Sequence, residues 1–176
     1  MRIIGNSALT LFIIIAFISC TKVEVLPPEP HIEFRSFSVF DTSDILGNSY
    51  KGGRLNFYFE DGDGDIGLYP AEVSGNPDTV NLFLWLFRKE NGVMNRITDT
   101  NDLMLPSPYR IPYLRRMGQN KVLKGTISVT FLYLFYNPGN NDTIRYEFFI
   151  KDRAEHYSDT VTTCEIPLSY NNTYKN

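Results

Sequence analysis

The most specific motif in this sequence contains three aspartates at alternate positions, Asp61, Asp63 and Asp65. They lie in the motif Asp-Gly-Asp-Gly-Asp-Ile-Gly at residues 61–67, which directly follows an apolar segment. The glycines between them let the backbone fold tightly, so that the three carboxylates can turn toward one centre. Carboxylate oxygens are the ligands that a hard cation such as Ca²⁺ prefers. The motif therefore predicts a calcium site.

The same motif also fits an ordinary turn, in which carboxylates accept backbone N–H groups and glycines supply left-handed positions. It does not fit an EF-hand loop, because the sixth position, which must be glycine, is Ile66. If the strands alternate in direction, the loop at residues 152–158 lies at the same end of the fold. Asp152 would then add a fourth metal ligand, or Arg153 would neutralise the acidic turn instead. Both alternatives remain open at this point.

The elements that must position this loop are predicted to be β-strands. Segments rich in β-branched and aromatic residues, several of them alternating apolar with polar side chains, indicate strands. These segments are Ile32–Phe40, Arg54–Glu60, Thr79–Lys89, Val122–Asn137, Thr143–Lys151 and Thr160–Ile166. The pair Asn91-Gly92 predicts a hairpin that ends in a strand at 93–98. About seven strands with turns at this spacing predict an all-β, immunoglobulin-like antiparallel sandwich.

Three segments have a predicted place within that sandwich. Residues 131–136 are apolar on both faces of their strand, which predicts a central strand or one covered by a partner. Trp85 lies in an apolar run and is predicted to be a core residue. The proline-containing segment 99–119 is predicted to be an irregular crossover, whose residues 111–114 close one edge of the core.

Residues 1–19 are predicted to be a lipoprotein signal peptide. Arg2 precedes the apolar run Leu11–Ile18, which is shorter than the roughly 20 residues that span a bilayer. Residues 17–20, Phe-Ile-Ser-Cys, resemble a bacterial lipobox, in which the cysteine receives diacylglycerol and becomes the new N-terminus. The resemblance implies that Cys20 is lipidated and anchors the chain to a membrane, since several acyl chains together bind stably.

The rest of the chain is divided into a linker, one domain and a tail. Residues 20–30 form the predicted linker, which begins at the lipidated Cys20. Its three prolines predict an extended conformation. A β-sandwich domain over 31–170 and a C-terminal tail over 171–176 follow. Thr21 stands where an aspartate would resemble an inner-membrane retention signal, and Glu24 alone does not resemble the acidic cluster of surface lipoproteins. These comparisons imply the outer membrane, facing the periplasm.

Composition excludes or disfavours several classes of function. The chain has 17 basic and 20 acidic side chains, and removing residues 1–19 takes away only Arg2. There is no basic stripe, so a nucleic-acid partner is not expected. The two histidines, His31 and His156, and the single remaining thiol, Cys164, do not form a recognisable nucleophile–base pair in the sequence. The protein is therefore not expected to be an enzyme.

Four phrases carry a family resemblance: residues 57–68, 111–114, 125–127 and 151–163. Together they resemble a group of small, mostly uncharacterised Bacteroidota lipoproteins. The last phrase resembles the Asp-Arg-Ala-Gly-Asn hairpin common near the end of immunoglobulin-like domains, with Glu155 and His156 in place of its Gly-Asn. The resemblance covers most of residues 30–166, and it implies an envelope location and an immunoglobulin-like fold.

Three functions are compatible with these observations. The leading hypothesis is a non-catalytic, membrane-tethered module that binds another envelope protein, as an accessory subunit of an outer-membrane assembly. The alternative is a lipoprotein that binds a glycan or another ligand through Trp85 or exposed tyrosines. A hydrolase using a metal on the three aspartates is the least favoured, because the motif lacks histidine ligands and a neighbouring base.

Overall fold

The computed structural model describes residues 25–70, 79–116, 120–134 and 142–176, which form nine β-strands and no helix. The strands are β1 (His31–Ser43), β2 (Ser49–Asp61), β3 (Leu82–Glu90), β4 (Val93–Arg96), β5 (Leu123–Tyr133), β6 (Thr143–Ile150), β7 (Val161–Thr162), β8 (Ile166–Pro167) and β9 (Asn172–Tyr174). The predicted signal peptide and Cys20 lie outside the described residues.

The strands form two antiparallel sheets, as the sequence predicts. One sheet has the order β5-β2-β1-β9, and the other has the order β4-β3-β6-β7 with β8 also paired to β6. In this arrangement β1, β2 and β5 correspond to strands A, B and E of an immunoglobulin-like sandwich, and β3, β6 and β7 correspond to C, F and G. The predicted hairpin at Asn91-Gly92 is confirmed, because β3 pairs with β4 across it.

The core lies between the inward faces of the two sheets. Alternation along β2 buries Leu55, Phe57 and Phe59, as the sequence pattern predicts. Phe131 of β5 stacks on Tyr146 of β6 with ring centroids 5.2 Å apart, so aromatic side chains join the two sheets. Each such buried apolar side chain contributes about 1.5–3 kcal/mol to folding.

Strand β5 lies at the edge of its sheet among the described strands, so a central position for it is wrong, whereas the alternative of cover by a partner stays a prediction. Phe131 and Tyr133 enter the core, whereas Leu132 is 58% exposed and Leu134 is 49% exposed. Among the described strands, β5 pairs only with β2. The strand that is apolar on both faces therefore has one solvent-exposed face. Among the described residues, it also has one edge without a neighbouring strand.

Trp85 lies on the outer face of the second sheet and is half-buried, so its assignment to the core is also wrong. Its neighbours Leu84 and Leu86 point inward and are buried. The guanidinium of Arg96 lies 4.4 Å from the centre of the Trp85 ring and covers part of it. Apolar residues on both faces of β3 hid this alternation in the sequence.

The C-terminal residues are part of the fold. Within the predicted tail, β9 pairs with β1, and Ser38 and Thr173 join their hydroxyls at 2.9 Å. The strand predicted over 160–166 is interrupted between β7 and β8, because the hydroxyl of Thr163 accepts the backbone N–H of Tyr146 at 3.0 Å. Half-buried Cys164 lies in this interruption and not within a strand.

An irregular strap, residues 97–116, crosses between the sheets and carries no strand, as predicted. Ile111 is buried in the core, which confirms that this segment closes one edge of it. The backbone N–H of Ile111 donates to Oδ1 of buried Asn81 at 2.7 Å, and its carbonyl accepts from Leu68 at 3.0 Å. The strap thereby holds Leu68, which directly follows the acidic motif, and Asn81, which directly precedes β3.

Candidate metal centre and binding surfaces

The acidic motif lies at one end of the sandwich, where several segments meet. Strand β2 ends at Asp61, and β1 begins opposite it at His31, which pairs with Glu60. Strand β3 begins at Leu82, which pairs with Ile150 at the end of β6. The loop after β2 and the turn after β6 therefore lie at the same end, as the sequence predicts.

The three aspartates converge on one point. One carboxylate oxygen from each of Asp61, Asp63 and Asp65 lies within 4.8 Å of the other two. Asp61 is 1% exposed, and its Oδ2 accepts the backbone N–H groups of Asp65 and Ile66 at 2.7 and 2.8 Å. The Oδ1 atoms of all three aspartates are buried and have no hydrogen-bond partner among the described residues.

Three glycines allow other segments to approach the motif closely. A Cβ atom on Gly62 would lie 2.2 Å from the carbonyl oxygen of Pro27, and one on Gly64 would lie 2.0 Å from that of Lys121. A Cβ atom on Gly67 would lie 2.3 Å from the carbonyl of Pro112. Gly64 and Gly67 also have left-handed φ angles of 70° and 89°. The spacing of the glycines thus reflects contacts with the linker, the 120–121 segment and the strap.

Burial and mutual repulsion disfavour full ionisation of this cluster. Burial, followed by the charges of Asp152, Asp63 and Asp61, raises the pKa of Asp65 to about 6. The pKa of Asp61 is also raised, chiefly by burial and further by the neighbouring Asp63 carboxyl. A bound cation would relieve this cost, because an opposite charge favours the ionised form of a carboxyl group.

Asp152 does not join the three aspartates, although it lies at the same end and is also 1% exposed. Its Oδ1 accepts the backbone N–H of His156 at 2.8 Å, and its Oδ2 lies 2.9 Å from Nδ1 of the same histidine. This pairing raises the pKa of His156, chiefly through the hydrogen bond to Asp152. Both carboxylate oxygens of Asp152, the predicted fourth ligand, therefore already have a hydrogen-bond partner.

Arg153, the predicted internal neutraliser, lies close to the motif but pairs with its backbone. Its Nη1 donates to the carbonyl of Gly67 at 2.6 Å, and its guanidinium lies 4.7 Å from the ring centre of Tyr69. Arg116 likewise donates to the carbonyl of Asp63 at 3.0 Å. Within the described ranges, no Lys, Arg or His forms an ion pair with the three clustered carboxylates.

An apolar groove of about 390 Å³ lies beside the outer edge of β5. Its walls come from the start of β3, the strap and the middle of β5. The lining residues are Leu82, Tyr109, Arg110, Ile111, Pro112, Leu114, Ile127, Ser128, Val129 and Thr130. Sequence reasoning identified the strap and the apolar strand separately, but only the fold brings them together as one surface.

A row of aromatic rings forms the outer face of the second sheet. Phe83 stacks on Phe149 with centroids 4.9 Å apart, and Trp85 and Tyr157 lie 5.4 and 6.0 Å from the same ring. Arg145 lies over Phe87 on this face, 4.9 Å from its ring centre. We refer to these residues, Phe83, Trp85, Phe87, Phe149 and Tyr157, as the aromatic face.

The fold and these surfaces define an immunoglobulin-like β-sandwich that carries an acidic loop at one end and an apolar groove along one edge. Comparisons of the chain with protein-family models, with curated proteins and with solved structures gave no match. No helix in the described residues is both long and apolar enough to cross a membrane.

Proposed function

We propose that this protein is a non-catalytic, membrane-tethered module that binds an extended segment of another envelope protein. The observation that carries the proposal is the apolar groove beside the outer edge of β5. An extended segment can add to such an edge as a further strand. Main-chain hydrogen bonds then supply affinity, and pockets for alternate side chains supply specificity.

The sequence of β5 supports this use of its edge. Residues 126–134 contain no charged residue and no proline. Edge strands are usually protected from pairing by charges, proline, bulges or covering segments, because their free N–H and C=O groups invite another strand. The exposed side chains of Leu132 and Leu134 add an apolar surface on the opposite face of this segment. An edge that has neither charges nor proline over residues 126–134 and lies next to an apolar groove favours a polypeptide partner.

The remaining parts of the proposal have their own support. The lipobox resemblance at residues 17–20 supports lipidation of Cys20, and the following residues Thr21 and Glu24 support the outer membrane, facing the periplasm. Neither histidine is placed as a catalytic base beside a nucleophile: His156 pairs with Asp152, and exposed His31 pairs with Glu33. These contacts support a binding role over a hydrolytic one.

The test is purification of the full-length protein from its native envelope in mild detergent, with Ile127→Glu and Val93→Glu variants in parallel. Ile127 lines the groove, whereas Val93 lies exposed on the edge strand of the other sheet. The wild type and Val93→Glu should retain the same partner protein, and Ile127→Glu should lose it while keeping its melting temperature within a few degrees.

Because Ile127 is half-buried, Leu132→Glu on the exposed face of the same strand serves as a second variant. A wild-type protein that purifies as a free monomer, or a partner retained equally by both β5 variants, would contradict the proposal. Mass spectrometry of the same wild-type sample tests the anchor, since the mature chain should begin at an acylated Cys20.

The aromatic face supports a second candidate function, glycan binding. Aromatic rings on a sheet surface, with Arg145 and Glu147 between them, offer both stacking and hydrogen bonding to a sugar. Affinity electrophoresis against envelope polysaccharides tests it. Trp85→Ala should abolish retardation, whereas Tyr170→Ala, which removes an exposed tyrosine elsewhere, should not. Equal migration of the wild type in gels with and without polysaccharide would exclude this candidate for the glycans tested.

A further inference from the structure

We propose that Asp61, Asp63 and Asp65 bind one Ca²⁺ ion at the end of the sandwich from which the linker emerges. The inference is independent of the proposed function, because the acidic motif and the groove beside β5 share no residue.

The strongest observation is the unpartnered oxygen of Asp61. The carboxylate is fixed by two backbone N–H groups on Oδ2, and the side chain is 1% exposed. Its Oδ1 is buried without a hydrogen-bond partner among the described residues, and the side chain belongs to the cluster formed with Asp63 and Asp65. A buried acceptor left in this state is unfavourable unless a ligand satisfies it.

The other two aspartates each have an unpartnered oxygen of the same kind. The Oδ1 atoms of Asp63 and Asp65 are equally buried and equally without a donor in the described structure. Two cationic side chains in contact with the motif, Arg116 and Arg153, donate to backbone carbonyls of residues 63 and 67. The cluster therefore offers three carboxylates that form no ion pair with the described side chains.

The donor set and its dimensions favour Ca²⁺. All three ligands are carboxylate oxygens, which select a hard cation over one that prefers nitrogen or sulfur. Ca²⁺ binds oxygen at about 2.3–2.6 Å, so two oxygens on opposite sides of one ion lie roughly 5 Å apart. The separation of at most 4.8 Å among the three oxygens is compatible with that span. Water or backbone carbonyls would complete the coordination.

Binding of the ion would also stiffen the attachment of the linker. The backbone N–H of Gly62, between two of the ligands, donates to the carbonyl of Pro27 at 3.1 Å. Gly64 packs on the carbonyl of Lys121, so the 120–121 segment is in contact with the same loop. An ion that fixes residues 61–65 would fix these two neighbours as well.

The experiment uses the full chain after treatment with EDTA and removal of the chelator. Isothermal titration with CaCl₂ should give one ion per chain, and 5 mM CaCl₂ should raise the melting temperature by several degrees, because a ligand that binds only the folded state stabilises it. Asp63→Asn should weaken the affinity at least tenfold and remove the shift. Asp159→Asn, which changes an exposed aspartate, should retain both.

Two outcomes would overturn the inference. One is a wild type that gives no binding heat and no melting shift at 5 mM CaCl₂, a result that needs no variant. The other is a shift of the same size in Asp63→Asn, or in MgCl₂ at equal concentration, since either would indicate charge screening or binding elsewhere. If Asp63→Asn does not fold, Asp65→Asn takes its place. Retention of a partner protein by the groove is measured in a separate experiment. Failure of the calcium proposal can therefore be distinguished from failure of the proposed function.

Discussion

Two turns at the same end of the sandwich share a hydrogen bond and a left-handed residue and differ in the side chain four positions after their first aspartate. Asp61 begins one turn and Asp152 the other, and each accepts the backbone N–H of the residue four positions later. The third residue after each aspartate has a left-handed φ, 70° at Gly64 and 71° at Glu155. Both aspartates are equally buried.

The fourth residue after each aspartate decides what the turn requires. In the second turn it is His156, whose ring nitrogen satisfies the remaining oxygen of Asp152. In the first turn it is Asp65, which adds another acceptor and leaves both carboxylates with an unpartnered oxygen. The backbone of such a turn therefore does not by itself indicate a metal site. The turn with an internal donor is complete, whereas the turn with a second carboxylate would be completed by the cation proposed above.

The largest expected effect comes from Gly64→Ala. The left-handed φ and a Cβ atom 2.0 Å from the carbonyl of Lys121 should together destabilise the protein by about 3 kcal/mol or more. Gly47→Ala is the matched control, because Gly47 has a φ of 85° with no atom near its Cβ position. That variant should cost only about 1 kcal/mol. Urea unfolding measures both, and equal losses would mean that close approach by Lys121 is unimportant.

Asparagine substitutions should separate the two aspartates. In EDTA, Asp152→Asn should destabilise the protein by about 2 kcal/mol, because it removes a charged partner of His156. Asp61→Asn should instead raise stability by about 1 kcal/mol, since its amide oxygen still accepts both N–H groups and one repelling charge is lost. Denaturation at neutral pH with and without CaCl₂ is the measurement. Equal destabilisation by both substitutions would show that the carboxylate oxygens of Asp61 are as fully satisfied as those of Asp152.

Glu155→Gly should stabilise the second turn by roughly 0.5–1 kcal/mol, because glycine adopts a left-handed φ without a steric cost. Glu155 is largely exposed, and its ion pair with Lys151 at 3.1 Å contributes little. Thermal unfolding of the variant and of Glu155→Ala, which loses the ion pair but keeps the strain, measures the difference. A Glu155→Gly protein no more stable than Glu155→Ala would contradict the steric explanation.

The smallest expected effect is a pH dependence specific to the second turn. Asp152, with weaker contributions from Glu29 and Asp63, raises the pKa of His156 above its ordinary value of 6.5. A raised histidine pKa contributes stability that is fully present below the unfolded pKa and is lost as pH rises through the folded one. Wild-type stability should therefore decline above about pH 6.5. Melting curves of His156→Gln should lack this component, and an unchanged pH profile would refute it.

Much of the fold was predictable because inward and outward positions alternate with a period of two. Residues such as Phe57 and Ile111 are found in the core as expected. Position within a sheet was not predictable, since it depends on pairing between distant segments. Residues 131–134 look alike on both faces in the sequence, yet only the absence of a described neighbour beyond β5 reveals an edge. Asn172–Tyr174 is too short to be recognised without β1 beside it.

The candidate site was predictable in its ligands and not in its surroundings. The spacing of Asp61, Asp63 and Asp65 indicated convergence, and the structure brings their oxygens together. The proximity of Asp152 was also expected, but its role was not, because nothing in the sequence shows that His156 occupies both of its oxygens. The partner of Arg153 was likewise not predictable. Whether its guanidinium donates to a carboxylate or to a backbone carbonyl depends on angles that only the folded chain defines.

The contact between Gly62 and Pro27 limits how far the domain could stand from a bilayer. With lipid on Cys20, as proposed, only about seven residues would separate the acyl chains from this contact, a reach of at most about 25 Å. The acidic end would then face the headgroups. The tip of the β1–β2 hairpin, with exposed Ile45 and Leu46, would point the opposite way, about 40 Å farther out along 13-residue strands.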